Sequence, residues 1–165
     1  MFNLILTVVG LALTVAVSAV SLNYVPWTAQ TRHMMQVDAT DGLHSLEGSV
    51  TRYLDAHRDS SGNIIYPGDG VNLVPAIAPT YGFIPANVRK QMTWSVTTGT
   101  MSGLPSAAIC LSPIGASNAD EQAVLANLQS QLPIGSSFVS TGCNATSNVA
   151  GGATLTYWIP LAHIN

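Results

Sequence analysis

No side chain in the first 31 residues carries a charge; the first that does is Arg32. Residues 4–22 read Leu-Ile-Leu-Thr-Val-Val-Gly-Leu-Ala-Leu-Thr-Val-Ala-Val-Ser-Ala-Val-Ser-Leu. A bilayer core about 30 Å thick is spanned by roughly 20 predominantly apolar residues. The stretch therefore predicts one N-terminal transmembrane helix. Its interruptions are small (Gly10, Ser18) or hydroxylic (Thr7, Thr14, Ser21), and such hydroxyls can bond the helix's own carbonyls. Gly10, Ala12, Ala16 and Ala19 would let another helix approach closely. Asn23, Tyr24 and Trp27 suit the membrane interface, and Pro26 a bend or helix end.

A cleaved secretory signal is the rival reading, with Val17-Ser18-Ala19 as a small-residue cleavage site. Met1-Phe2-Asn3 lacks the basic side chains of a signal's n-region. The apolar run also exceeds the usual h-region of about 7–15 residues. A retained anchor is the expectation. A disulfide-stabilised binding module released after Ala19 is the alternative. Arg32 alone flanks the far side closely, so charge bias scarcely sets orientation and by itself points against an outward-facing domain.

The chain divides into a membrane and interfacial segment, 1–31, and one extracytoplasmic domain, 32–165. Only 8% of residues are charged, against about 25% in an ordinary soluble domain. Five Lys and Arg against eight Asp and Glu provide no basic field for a phosphate backbone, so no nucleic-acid partner is expected. Cys110 and Cys143 are the two cysteines and form no Cys-x-x-Cys pair. A bridge between them would contribute about 3–4 kcal/mol on chain-entropy grounds, and would place the domain in an oxidising compartment. Two buried reduced thiols are the other possibility.

From Met34 onward, Met35, Ala39, Leu43, Leu46, Val50, Tyr53, Leu54 and His57 recur at spacings of three and four. This is one apolar stripe of a 3.6-residue period, with Leu43, Leu46, Val50, Tyr53 and Leu54 facing a core. Gly42 weakens the helix by roughly 1 kcal/mol relative to Ala, and the turn residues 59–63 end it. Residues 71–88 read as a loop punctuated by prolines that packs on this helix. Strands are expected over 91–97, 107–111 and 154–159, with 138–140 as an edge strand and a turn at 99–103. Ser117 is expected to cap a helix whose apolar face is Val124, Leu125, Leu128 and Leu132. The fold class is thus α+β: a membrane helix leading into an amphipathic helix packed on a small, mainly antiparallel sheet.

The chemistry-bearing motifs are missing. There is no His-Glu-x-x-His, Walker loop, Gly-x-Gly-x-x-Gly or metal-spaced Cys/His cluster. His57 and Asp55 stand two apart, so on a helix they face different ways. Residues 115–119 lack the closing glycine of a nucleophile elbow. Asn144-Ala145-Thr146 fits the glycosylation triplet but reads as part of a polar loop. No enzyme activity, cofactor, metal or small-molecule substrate is expected, and a periplasmic hydrolase using Ser or Cys is the remotest alternative.

The uncharged helix at the head, its amphipathic continuation through Leu43 to Tyr53, the small sheet and the Cys110/Cys143 pair together resemble type IV pilins and pilin-like proteins. Ile5 stands where such pilins carry a glutamate, and no basic leader ending in Gly precedes Met1. These departures point to a minor pilin or an anchored assembly factor. The order Arg52-Tyr53-Leu54-Asp55-Ala56-His57, Ser61-Gly62-Asn63 and the loop from Leu73 to Ile84 is similar to the PilM-type proteins of thin, type IVb conjugative pili. That resemblance, over roughly residues 1–95, implies a single-pass bacterial inner-membrane protein facing the periplasm. Its expected role is structural, in pilus assembly or conjugation, with the membrane and other pilus components as partners.

Overall fold

The computed structural model describes residues 27–68 and 70–161, together with residues 7, 10 and 14. The chain forms two units, Met1–Thr31 and Arg32–Asn165. Among the described residues no helix is long and apolar enough to cross a membrane. The span expected over 4–22 lies outside the described residues except for Thr7, Gly10 and Thr14, which are helical. Ala12, Ala16 and Ala19 also lie outside them. The Thr14 hydroxyl donates to the Gly10 carbonyl at 3.1 Å, the local satisfaction expected of a hydroxyl in an apolar helix.

Helix α1 runs Trp27–Ala56, seven residues earlier than the apolar periodicity begins. Residues 29–34 are exposed, which is why they carry no stripe. From Met35 on, the helix buries Met35, Ala39, Leu43, Leu46, Val50 and Leu54. Tyr53 is half-buried. Gly42 is where the indole of Trp94 lies: a Cβ there would stand 2.8 Å from Trp94 Cη2. Its helix cost is the condition for that contact.

The segment expected as a loop over 71–88 holds two single-turn helices, α2 (Val74–Ile77) and α3 (Ala86–Arg89). It is fastened to α1 by two serines. Ser49 Oγ donates to Tyr81 O at 2.8 Å, and Phe83 N donates to Ser45 Oγ at 3.0 Å. Gly82 makes the crossing possible, since a Cβ there would lie 1.9 Å from Ser49 Oγ.

Strands β1 (Met92–Met101) and β2 (Leu104–Pro113) form a hairpin. Ser102 and Gly103, with φ of 53° and 79°, make its two-residue turn, where right-handed strand twist favours positive φ. Gly99, expected in the turn, is instead inside β1 and lies 3.6 Å from the Trp158 ring by its virtual Cβ. Helix α4 (Ala119–Gln131) leads to β3 (Ser137–Ser140), and β4 (Thr154–Pro160) ends the described sheet. The sheet order is β1-β2-β4-β3, with every neighbouring pair antiparallel. Thus β2 and β3 run parallel, joined by α4, with β4 inserted between them. The α+β class and its small antiparallel sheet are as the patterning indicates.

Asn118, not Ser117, caps α4. Its Oδ1 accepts from Glu121 N at 2.9 Å while Glu121 Oε2 accepts from Asn118 N at 3.0 Å. The reciprocal box requires the glutamate at the third helical position, which moves the cap one residue along.

Candidate functional site

The sheet has two covered faces, and they differ in chemistry. Cross-strand register places Trp94, Leu111 and Leu155 in one row, and Val96, Ile109 and Tyr157 in the next. These side chains belong to the hydrophobic core with Leu43, Leu46, Val50 and Leu54 of α1 and Val124, Leu125 and Leu128 of α4. The two helices are tied together at their edges. Arg32 pairs with Asp120, and Asn127 Nδ2 donates to Gln36 Oε1 at 2.9 Å.

One polar contact on this face joins the sheet to a side chain of α1. The buried Tyr157 hydroxyl donates to Glu47 Oε1 at 3.1 Å, and His44 Nδ1 lies 3.7 Å from the other Glu47 oxygen. Burial, and then the Glu47 carboxylate beside it, pushes the Tyr157 phenol up to about 12. At neutral pH it is a donor and neither a base nor a nucleophile. The cavity next to it, about 40 Å³ between Leu43, Leu128 and Tyr157, has room for a water.

The opposite face carries Thr97, Ala108, Cys110, Thr156 and Trp158, all buried. Among the described residues no helix covers them. The cover is the loop 141–153, and Cys143 within it is disulfide-bonded to Cys110, their Cα atoms 5.6 Å apart. Polar contacts continue the attachment on either side of the bridge. Thr97 Oγ1 donates to Asn144 Oδ1 at 2.9 Å, Ala145 N to Thr156 Oγ1 at 3.3 Å, and Trp158 Nε1 to Ala145 O at 2.7 Å. The loop closes at Gly152, where a Cβ would stand 2.7 Å from the Ser140 backbone.

Both sheet edges are capped by an asparagine. On β1, Asn72 Oδ1 accepts from Val96 N at 3.1 Å while Leu73 N donates to Val96 O at 2.7 Å. On β3, Asn148 Oδ1 accepts from Val139 N at 2.8 Å, and Val149 N donates to Val139 O at 2.9 Å. The outward N–H and C=O of Val96 and Val139 are therefore not available to a foreign strand. No local sequence signal marks Asn72 or Asn148, because each partner is set by the tertiary fold.

The residues singled out in the sequence take three positions. Leu43, Leu46, Val50 and Leu54 are core residues, and Tyr53 lies at the core's margin, with Tyr81 edge-on to it and His57 tilted against it. Cys110 and Cys143 pair across the outer face, which leaves no thiol for nucleophilic chemistry. Gly10 is helical and exposed, far in sequence from these contacts. His57 Nδ1 meets Tyr53 O at 2.8 Å, while Asp55 bonds Arg58 rather than the histidine. Among the described residues no cluster of three His, Cys, Asp or Glu side chains could hold a metal ion. Compared with protein-family models, curated proteins and solved structures, the chain has no match.

Proposed function

We propose that the protein is a membrane-anchored, pilin-like structural component of a type IV(b) pilus or conjugative-pilus assembly machine, with its α+β domain facing the periplasm. The observation that carries this reading is the form of α1. One uninterrupted helix of 30 residues has exposed first turns, follows an uncharged apolar stretch, and packs its remainder on an antiparallel sheet. Such a helix serves a subunit that is held, or laterally packed, through its N-terminal segment. The covalently pinned loop supports an oxidising location for the domain.

Carbonate extraction of bacterial membranes holding the full chain tests the anchor, with the intact mass measured without reduction. The expected product stays in the pellet, begins at Met1 and is two hydrogens lighter than the reduced chain. A soluble product beginning near Val20 would overturn the proposal in favour of a secreted binding module.

A further inference from the structure

A groove of about 430 Å³ opens beside the start of β1. Ile84, Met92 and Trp94 are its buried lining residues, and Pro79, Ile114 and Arg89 are exposed ones. This volume lies in the range of small-molecule sites, about 300–1,000 Å³. The wall is apolar with few polar groups, and those groups have a direction. Arg89 Nη2 donates to Ile84 O at 3.2 Å, which ties the guanidinium to the groove while leaving further N–H donors. Among the described residues no carboxylate pairs with Arg89 or Arg52, whereas Arg32 and Arg58 are paired with Asp120 and Asp55. Arg52 is held instead on its own helix by Gly48 O and Ser49 Oγ. Arg89 is thus an exposed cation at the rim of an apolar groove, followed in sequence by Lys90. The indole of Trp94 contributes apolar wall, since its Nε1 is fully buried.

We propose that this groove binds a small monoanion with an aromatic or short alkyl body, its carboxylate meeting Arg89 and its body lying against Ile84, Met92 and Ile114. One cation amid apolar walls selects a single negative charge; a polyphosphate or dicarboxylate would leave charge unpaired against them. The inference stands apart from the anchor reading, since every lining residue lies between 74 and 114.

The test titrates 2-naphthoate into the full-length chain held in nanodiscs, by ligand-observed NMR, with empty nanodiscs as the blank. The neutral analogue 2-naphthylmethanol is run beside it. Saturable binding of 2-naphthoate is expected at about 0.1–1 mM, in keeping with a ligand of this size. Arg89→Gln should weaken it about tenfold, the value of a charge-assisted hydrogen bond, and leave the neutral analogue unchanged. Ile114→Asp should weaken the anion by a similar factor. Both positions are exposed, and near-UV circular dichroism checks that the variants keep the fold. Absence of saturable binding, or binding indifferent to both substitutions, would overturn the proposal.

Discussion

The two faces of the sheet are both buried and are held by different means. The inner face is apolar and is closed by two long helices whose own stripes interdigitate with it. The outer face is threonine, alanine, cysteine and one tryptophan under a loop that has no regular structure. Apolar area removed from water stabilises the first at roughly 25 cal/mol per Å². The second has little such area, and its cover is secured by one covalent bond and three cross-connecting hydrogen bonds. Removing the helices would therefore dissolve the fold, whereas releasing the loop would uncover one side of it.

Leu46→Ala should have the largest effect. Leu46 is completely buried between α1 and the sheet, and the cavity left behind adds to the lost transfer energy. A cost of about 3–4 kcal/mol is expected, read as a lower urea midpoint with unchanged slope. A cost below about 1 kcal/mol would mean the inner face repacks freely and is not the principal support.

The double substitution Cys110→Ala with Cys143→Ala addresses the other face. Loss of the bridge should cost about 3 kcal/mol. Its distribution matters more than its size. Hydrogen exchange should accelerate in residues 141–153 well before the amides of β1 and β2, because the inner face keeps its apolar contacts. Uniform acceleration across the sheet would erase the distinction between the faces.

Two glycines of α1 sharpen the same point. Helix propensity treats Gly42 and Gly48 alike and favours Ala at each by about 1 kcal/mol. A Cβ at Gly48 meets nothing nearer than Arg52 Nη2 at 3.9 Å, so Gly48→Ala should stabilise by about 0.5–1 kcal/mol. A Cβ at Gly42 would stand 2.8 Å from the Trp94 ring, which is itself packed in the core. Overpacking there costs about 1–3 kcal/mol and outweighs the propensity gain, so Gly42→Ala should destabilise by about 1 kcal/mol. Equal effects in thermal denaturation would show that the Trp94 contact imposes nothing on the helix.

The stripe of α1 was legible because one buried face on a 3.6-residue period leaves a pattern in any sequence. Strand β4, expected over 154–159, was legible to within one residue, whereas β2, expected over 107–111, was legible in place but not in extent. Both of their faces are covered, so alternation disappears and only an apolar-rich run remains. Gly99 reads as a turn residue although Trp158 explains it, and Ser102-Gly103 is the turn. The Cys110–Cys143 bridge could be anticipated by counting cysteines, but the face it covers could not. Asn72, Asn148 and Arg89 are meaningful only beside partners brought together by the fold, and local sequence carries none of that information.

A modest effect is expected at the polar contact between α1 and the inner face. Tyr157→Phe removes the donor to Glu47, whose carboxylate is partly exposed and can be rehydrated, so a cost of about 1 kcal/mol is expected at neutral pH. The pH dependence is the sharper readout. The unfolded phenol ionises near 10 and the folded one at about 12, so the folded state holds this proton more tightly. The contribution is fully present below pH 10 and is lost as pH rises toward 12. Urea denaturation at pH 9 and pH 11.5 should therefore show a steeper fall for the native chain than for Tyr157→Phe. Parallel falls would mean that the phenol is not held between Glu47 and the core.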